Sequence, residues 1–139
     1  MLFLLLVTGP PTLARAVKTP VTFTETIVSE GPPVREWFSG ETYHFRGVVE
    51  LTTVTGDLEG SITAVLNGDI NLRTGTGSVS GPFTLVTSDV TWTGTFRGDP
   101  SGSGTFIAQG TDGSKIHGSF VPTGQNTLED EAVILSPKG

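Results

Sequence analysis

The stretch TWTGTFRGDPSGSGTFIAQGTDGSKIHGSF, residues 91–120, decides the fold. Its aromatic and glycine residues alternate with Thr, Ser, Arg, Gln and Lys at a period of two. Trp92, Gly94 and Phe96 share one parity; Gly104, Phe106 and Ala108 form a second set, and Ile116, Gly118 and Phe120 a third. Successive side chains of a strand point to opposite faces, so this pattern describes half-buried strands of an antiparallel sheet. The sets are separated by turn formers. Residues 98–102 contain Asp99-Pro100, and Thr111-Asp112-Gly113 suits a three-residue loop with Gly in the left-handed position.

The same reading extends toward the N-terminus. Tyr43, Phe45, Gly47, Val49 and Leu51 share a parity. Gly56-Asp57, Thr74-Gly75 and Ser88-Asp89 can each close a hairpin. With these turns, one row across six strands reads Phe45, Gly68, Gly81, Phe96, Gly104, Phe120. The next reads Gly47, Leu66, Phe83, Gly94, Phe106, Gly118, and a third Val49, Ala64, Leu85, Trp92, Ala108, Ile116. Large residues fall largely opposite glycines, where a ring covers bare backbone and the sheet can coil sharply. A one-residue slip would set apolar faces against Thr faces. This register predicts Phe96 opposite Gly104, Gly94 opposite Phe106, and a single long strand over residues 62–72. Residues 21–29 and 127–135 add two strands, making eight. An open sheet would expose its apolar face, so the expected fold is an all-β, eight-stranded antiparallel up-and-down barrel, with a β-sandwich as the alternative.

Composition agrees with one such domain. The 139 residues include 19 Gly, 9 Pro and a single Met, a poor basis for helices. The absence of Cys rules out a disulfide scaffold, thiol catalysis and Cys-based zinc sites. A net charge of -6 disfavours nucleic acid and anionic membranes as partners. Residues 1–16 read as a signal peptide: Leu2 to Val7 is apolar, Pro10 and Pro11 break the run, and Ala14-Arg15-Ala16 fits a cleavage site. The run is too short to span a bilayer. The expected domain is residues 17–139, secreted or periplasmic.

Two segments, Thr91-Trp92-Thr93-Gly94-Thr95-Phe96 and residues 110–118 from Gly110 to Gly118, resemble those of a bacterial group of small secreted barrels. More loosely, the chain resembles the allene oxide cyclase and dirigent barrels over residues 56–120. The resemblance implies a calycin-like barrel with an apolar lumen. Some members of that broad group steer the cyclisation or coupling of a hydrophobic substrate without metal or cofactor. None of their catalytic motifs maps onto this sequence residue by residue.

The chemistry-bearing residues are few. His44 and His117 fall on the polar face, and no carboxylate cluster stands at a ligand spacing from them, so no metal site is expected. No nucleophile elbow or phosphate loop is present. Glu25 shares its parity with Val21, Phe23 and Ile27. A carboxylate on an apolar face is unfavourable unless paired or protonated, which suits a general acid or base; a rim position, or a pairing with Arg35 or Arg46, would serve equally. Asp130 shares a parity with Leu128, Ala132 and Ile134, although Glu129, Glu131, Val133 and Leu135 could form the inward face instead. Tyr43 and Trp92 fall on the inner face, as ligand contacts or as plain core. Residues 30–40, with two prolines and the pair Trp37-Phe38, read as a lid or plug at one barrel mouth.

Three functions follow. The leading one is a barrel that binds a small hydrophobic molecule through Trp37, Phe38, Phe45, Trp92, Phe96, Phe106, Phe120 and Asp130. The second is a cofactor-free cyclase or isomerase with Glu25 or Tyr43 as the acid-base group. The third is a structural protein, assembling as a homo-oligomer through its Thr/Ser-rich outer face or an unpaired N-terminal strand.

Overall fold

The structure, a computed structural model, describes residues 16–137, so all but the last residue of the expected signal peptide lies outside it. Nine strands and no helix are found among the described residues: β1 (Val17–Glu30), β2 (Arg35–Ser39), β3 (Thr42–Gly56), β4 (Gly60–Asn71), β5 (Gly77–Thr87), β6 (Thr91–Gly98), β7 (Gly104–Gly110), β8 (Lys115–Pro122) and β9 (Thr127–Ser136). All pairings are antiparallel. The sheet runs β1-β9-β8-β7-β6-β5-β4-β3-β2, and β1 also pairs with β3, closing eight strands into a barrel. The ninth, β2, pairs with Thr42 to Arg46 of β3, beyond the length of β3 that β1 occupies.

The β1 and β2 strands therefore share one edge of β3. Between them Gly31 N–H donates to Val49 O and Val34 N–H to Arg46 O, so residues 31–34 bulge without leaving the wall. The expected lid over residues 30–40 is instead a continuation of the barrel wall. The β1 strand is paired on both sides, by β9 and β3; among the described residues it is β2 that carries a free edge.

Every hairpin keeps the expected facing except β3–β4, where Val54 lies opposite Gly60 and the expected two-residue Gly56-Asp57 turn gives way to a longer connection. Ser88-Asp89 closes its hairpin as expected, with Thr87 N–H donating to Val90 O. Gly113, at φ 86°, occupies the left-handed position of the 111–113 loop. Two hairpins are displaced by two residues, which preserves parity. Phe96 lies opposite Phe106 rather than Gly104, and Gly94 opposite Ala108 rather than Phe106, because the β6–β7 loop spans residues 99–103. Likewise Gly68 pairs with Val79 rather than Gly81, since Asn71 Oδ1 caps a wider turn by accepting from the N–H groups of Arg73 and Thr74. Other expected pairs stand: Phe45 with Gly68, Gly81 with Phe96, Phe83 with Gly94, Leu85 with Trp92, Phe106 with Gly118 and Gly104 with Phe120.

One displacement reverses a face. The β3–β4 register moves by one residue between Phe45 and Val48, where Gly47 sits at φ 79°. A bulge of this kind adds one residue to one strand and bends it. Beyond it Val48, Glu50, Thr52 and Val54 turn inward, while Val49 and Leu51, expected inside, are exposed. The β1 strand has its own irregularity at Val28, after which Glu30 pairs directly with Glu50. The two irregularities lie on neighbouring, hydrogen-bonded strands at the seam where the sheet closes on itself.

The core fills one end of the barrel. Trp92, Leu85, Ile116 and Val54 are buried there, with Leu58 and Val90 packed against the same cluster. A Cβ on Gly110 would come within 3.0 Å of the Trp92 ring, so this glycine makes room for the indole. Fully burying side chains of this size contributes roughly 1.5–3 kcal/mol each.

Candidate functional site

Toward the other end the lumen is not filled. A cavity of about 300 Å³ opens there, floored by Leu85 and Ile116. Its mouth is marked by Asp99, Pro100 and Gly102 of the β6–β7 loop, with Ile70 and Val79 flanking the β4–β5 turn. Five phenylalanines line it: Phe23, Phe83, Phe96, Phe106 and Phe120. The rings meet edge to face, Phe106 with Phe23 at 6.3 Å and with Phe83 at 5.9 Å, and Phe96 with Phe120 at 6.4 Å. Edge-to-face contact is an arrangement that aromatic pairs favour.

One stretch of wall is different. Glu25 and Glu30 from β1, Glu50 from β3 and Asp130 from β9 all face the cavity. Glu25 pairs with Leu128 and Phe23 with Asp130, so Glu25 and Asp130 are diagonal neighbours on one face. Both are buried, and Asp130 is only 1% exposed. Burial raises the Glu25 pKa, partly offset by its contact with the Asp130 carboxyl. Burial and the Glu25 carboxyl push Asp130 up to about 10. Two carboxyls in contact cannot both ionise readily, so Asp130 keeps the proton. Nearer the mouth, burial and the adjoining Glu30 carboxyl push Glu50 up to about 8. No Lys, Arg or His lines the cavity among the described residues. Asp130 Oδ1 is buried without a hydrogen-bond partner.

Of the residues expected from sequence, Glu25, Phe96, Phe106, Phe120 and Asp130 line this cavity. Asp130 faces Phe120 directly, and Ala132 rather than Glu131 or Val133 continues its inward face. Trp92 lies in the filled end instead. Trp37, Phe38, Tyr43 and Phe45 belong to the β2–β3 extension and do not line the cavity. Phe45 covers Gly68, with Tyr43 stacked on it at 5.8 Å and the Phe38 ring tilted against Tyr43 at 5.2 Å. The Tyr43 hydroxyl donates to Glu36 at 2.9 Å, which raises its pKa and separates it from Glu25.

The outer face of that extension carries a cluster the sequence reading did not assemble. His44 Nδ1 lies 2.6 Å from Asp69 Oδ1, and Arg46 reaches the same oxygen at 3.1 Å. The His44 contact, with Arg46 behind it, lowers the Asp69 pKa. Trp37 stacks on His44 at 4.8 Å, and the Arg35 guanidinium lies 4.2 Å from the indole centroid. His117 stands apart, exposed on β8. No group of metal-binding side chains is found among the described residues. The carboxyls that sequence reasoning missed are Glu30 and Glu50, and the one signal for them was Gly47, an isolated glycine inside a strand pattern. No family model, no curated protein and no solved structure matches this chain.

Proposed function

We propose that this barrel binds a small hydrophobic molecule in its lumen. The observation that supports this is the cavity of about 300 Å³, walled by phenylalanines and open at one end. A barrel serving only as a structural unit would fill such a space, because each unfilled volume forfeits packing energy. The volume suits a ligand of one or two fused rings. Secretion fits the same reading: β1 begins at Val17, so cleavage after Ala16 would leave the strand whole. The likeness to allene oxide cyclase and dirigent barrels, carried by the sequence pattern over residues 56–120, is part of this proposal.

A direct test uses prodan, a neutral naphthalene whose emission shifts to the blue in apolar surroundings. The expected result is a saturable blue shift with the wild-type protein. It should be lost when Ala64→Phe or Val79→Trp, each checked by circular dichroism, fills the lumen. No shift with wild type, or an equal shift with both filled variants, would overturn the reading.

A second reading, cofactor-free proton transfer on the bound molecule, is favoured by the Glu25–Asp130 pair, one protonated and one available as base. Tyr43 has no part in it, since its hydroxyl is held by Glu36. The test is deuterium uptake by a bound ligand with acidic C–H bonds. Uptake should vanish in Glu25→Gln while binding persists.

A further inference from the structure

The lumen has a polarity as well as a shape. Among the described residues all its ionisable groups are acids, and apart from Asp99 at the mouth they stand on one side: Glu25 and Glu30 on β1, Glu50 on β3, Asp130 on β9. The opposite side, β5 to β8, presents Phe83, Phe96, Phe106, Phe120 and Ile116. A molecule in the cavity therefore meets carboxyl groups along one flank and aromatic faces along the other. Asp130 Oδ1 is buried, unpartnered and part of the cavity wall. Buried polar atoms are nearly always satisfied, and an orphan of this kind marks a missing partner.

We propose that the natural ligand is a hydrophobic organic cation, an amine whose ammonium group sits on the Glu25–Asp130 pair and whose ring system fills the phenylalanine wall; this rests on the lumen-binding reading. The chemistry favours an amine over other ligands. An ammonium group brings two or three donors, for the open Asp130 Oδ1 and the adjoining Glu25 carboxyl. Burying a cation is ordinarily prohibitive, but here its counter-charge is already desolvated by the fold. The Phe faces around the cavity add cation–π attraction. Charge also balances: when an amine enters as the free base, its nitrogen takes the proton held by Asp130, leaving ammonium beside carboxylate. A hydrated metal ion lacks an apolar body to fill the cavity, and the carboxyls are not grouped for metal binding among the described residues. A carboxylate ligand would meet five acids and, among the described residues, no cation.

Three ligands of nearly equal shape make the test: 1-naphthylmethylamine, 1-naphthalenemethanol and 1-naphthoate, titrated into the protein by calorimetry at pH 7.5. The expected order is amine, then alcohol, then acid. The amine should lead the alcohol by roughly tenfold, the usual gap between charged and neutral hydrogen bonds. Glu25→Gln and Asp130→Asn should each remove the amine's advantage while the alcohol still binds. If either variant fails to fold, Glu50→Gln nearer the mouth should reduce the same preference. An alcohol that binds as tightly as the amine, or naphthoate binding best, would overturn the charge assignment and leave the lumen reading standing. Failure of all three ligands together with prodan would remove both.

Discussion

The two sides of this barrel are built differently. From β5 to β8 the wall follows the two-residue alternation without a break, and its inner face is apolar and largely aromatic. From β9 through β1 to β3 the wall carries two irregularities and places four carboxyls in the lumen. The first side is what any tight sheet does with rings and glycines. The second is where the sheet closes on itself. Bulges supply the bend that closure needs, and each also shifts which residues face inward. Closure and the acidic flank are thus linked: the Gly47 bulge that bends β3 also turns Glu50 into the lumen.

The largest expected effect lies on the regular side. Phe106→Ala removes a ring that touches Phe23 and Phe83 edge to face, and should destabilise the protein by about 3–5 kcal/mol. Urea denaturation is the measurement. A loss well under 1 kcal/mol would mean that this wall is not the structural half of the barrel.

Smaller, but on the closing side, is the effect of Gly47→Val. Gly47 sits at φ 79°, and a Cβ there would come within 2.8 Å of Val34. A β-branched residue in that conformation should cost on the order of 1–3 kcal/mol. Unchanged stability would contradict the bulge, and with it the inward turn of Glu50.

The smallest expected effect, taken per proton and per pH unit, is a slope. Glu25, Glu50 and Asp130 all have raised pKa values in the folded protein. Raised values mean that the native state holds these protons more tightly than the unfolded chain does. Their contribution to stability is therefore full below about pH 4 and declines as pH rises through about 8 for Glu50 and about 10 for Asp130. One proton gives at most about 1.4 kcal/mol per pH unit, and water at the open mouth reduces this. Melting temperature should fall from pH 5 to pH 9, and Asp130→Asn should flatten the fall. A melting temperature that rises over that interval would place these carboxyls outside the lumen.

The regular side was legible in the sequence because its signal is local. Alternation from Val79 to Phe120 assigns faces without reference to any other strand, and a register error of two residues, as at Phe96, leaves every face intact. The Ser88-Asp89 and Thr111 to Gly113 turns carry their own chemistry. The closing side was only partly legible. Glu25 stands before the irregularity in β1, so its parity placed it inward. Glu30 and Glu50 stand beyond irregularities, which add a residue with little mark in composition. Parity counted from Tyr43 therefore put Val49 and Leu51 inside, where the structure has Glu50. The lid expected at Trp37 and Phe38 failed for a related reason: prolines 32 and 33 suggested departure from the sheet, but they fall in a four-residue break along one continuous edge of β3. The pairing of His44 with Asp69 joins adjacent strands, and was hidden because no spacing along the chain reveals it.

The most direct test of this account is a carboxyl ¹³C NMR titration of Glu50. Its outward neighbours Val49 and Leu51 make the alternatives mutually exclusive, since a register without the bulge turns Glu50 to solvent. A titration midpoint near 8, moving on addition of 1-naphthylmethylamine, is the expected result. A midpoint near the ordinary glutamate value of about 4.3, indifferent to the amine, would contradict it.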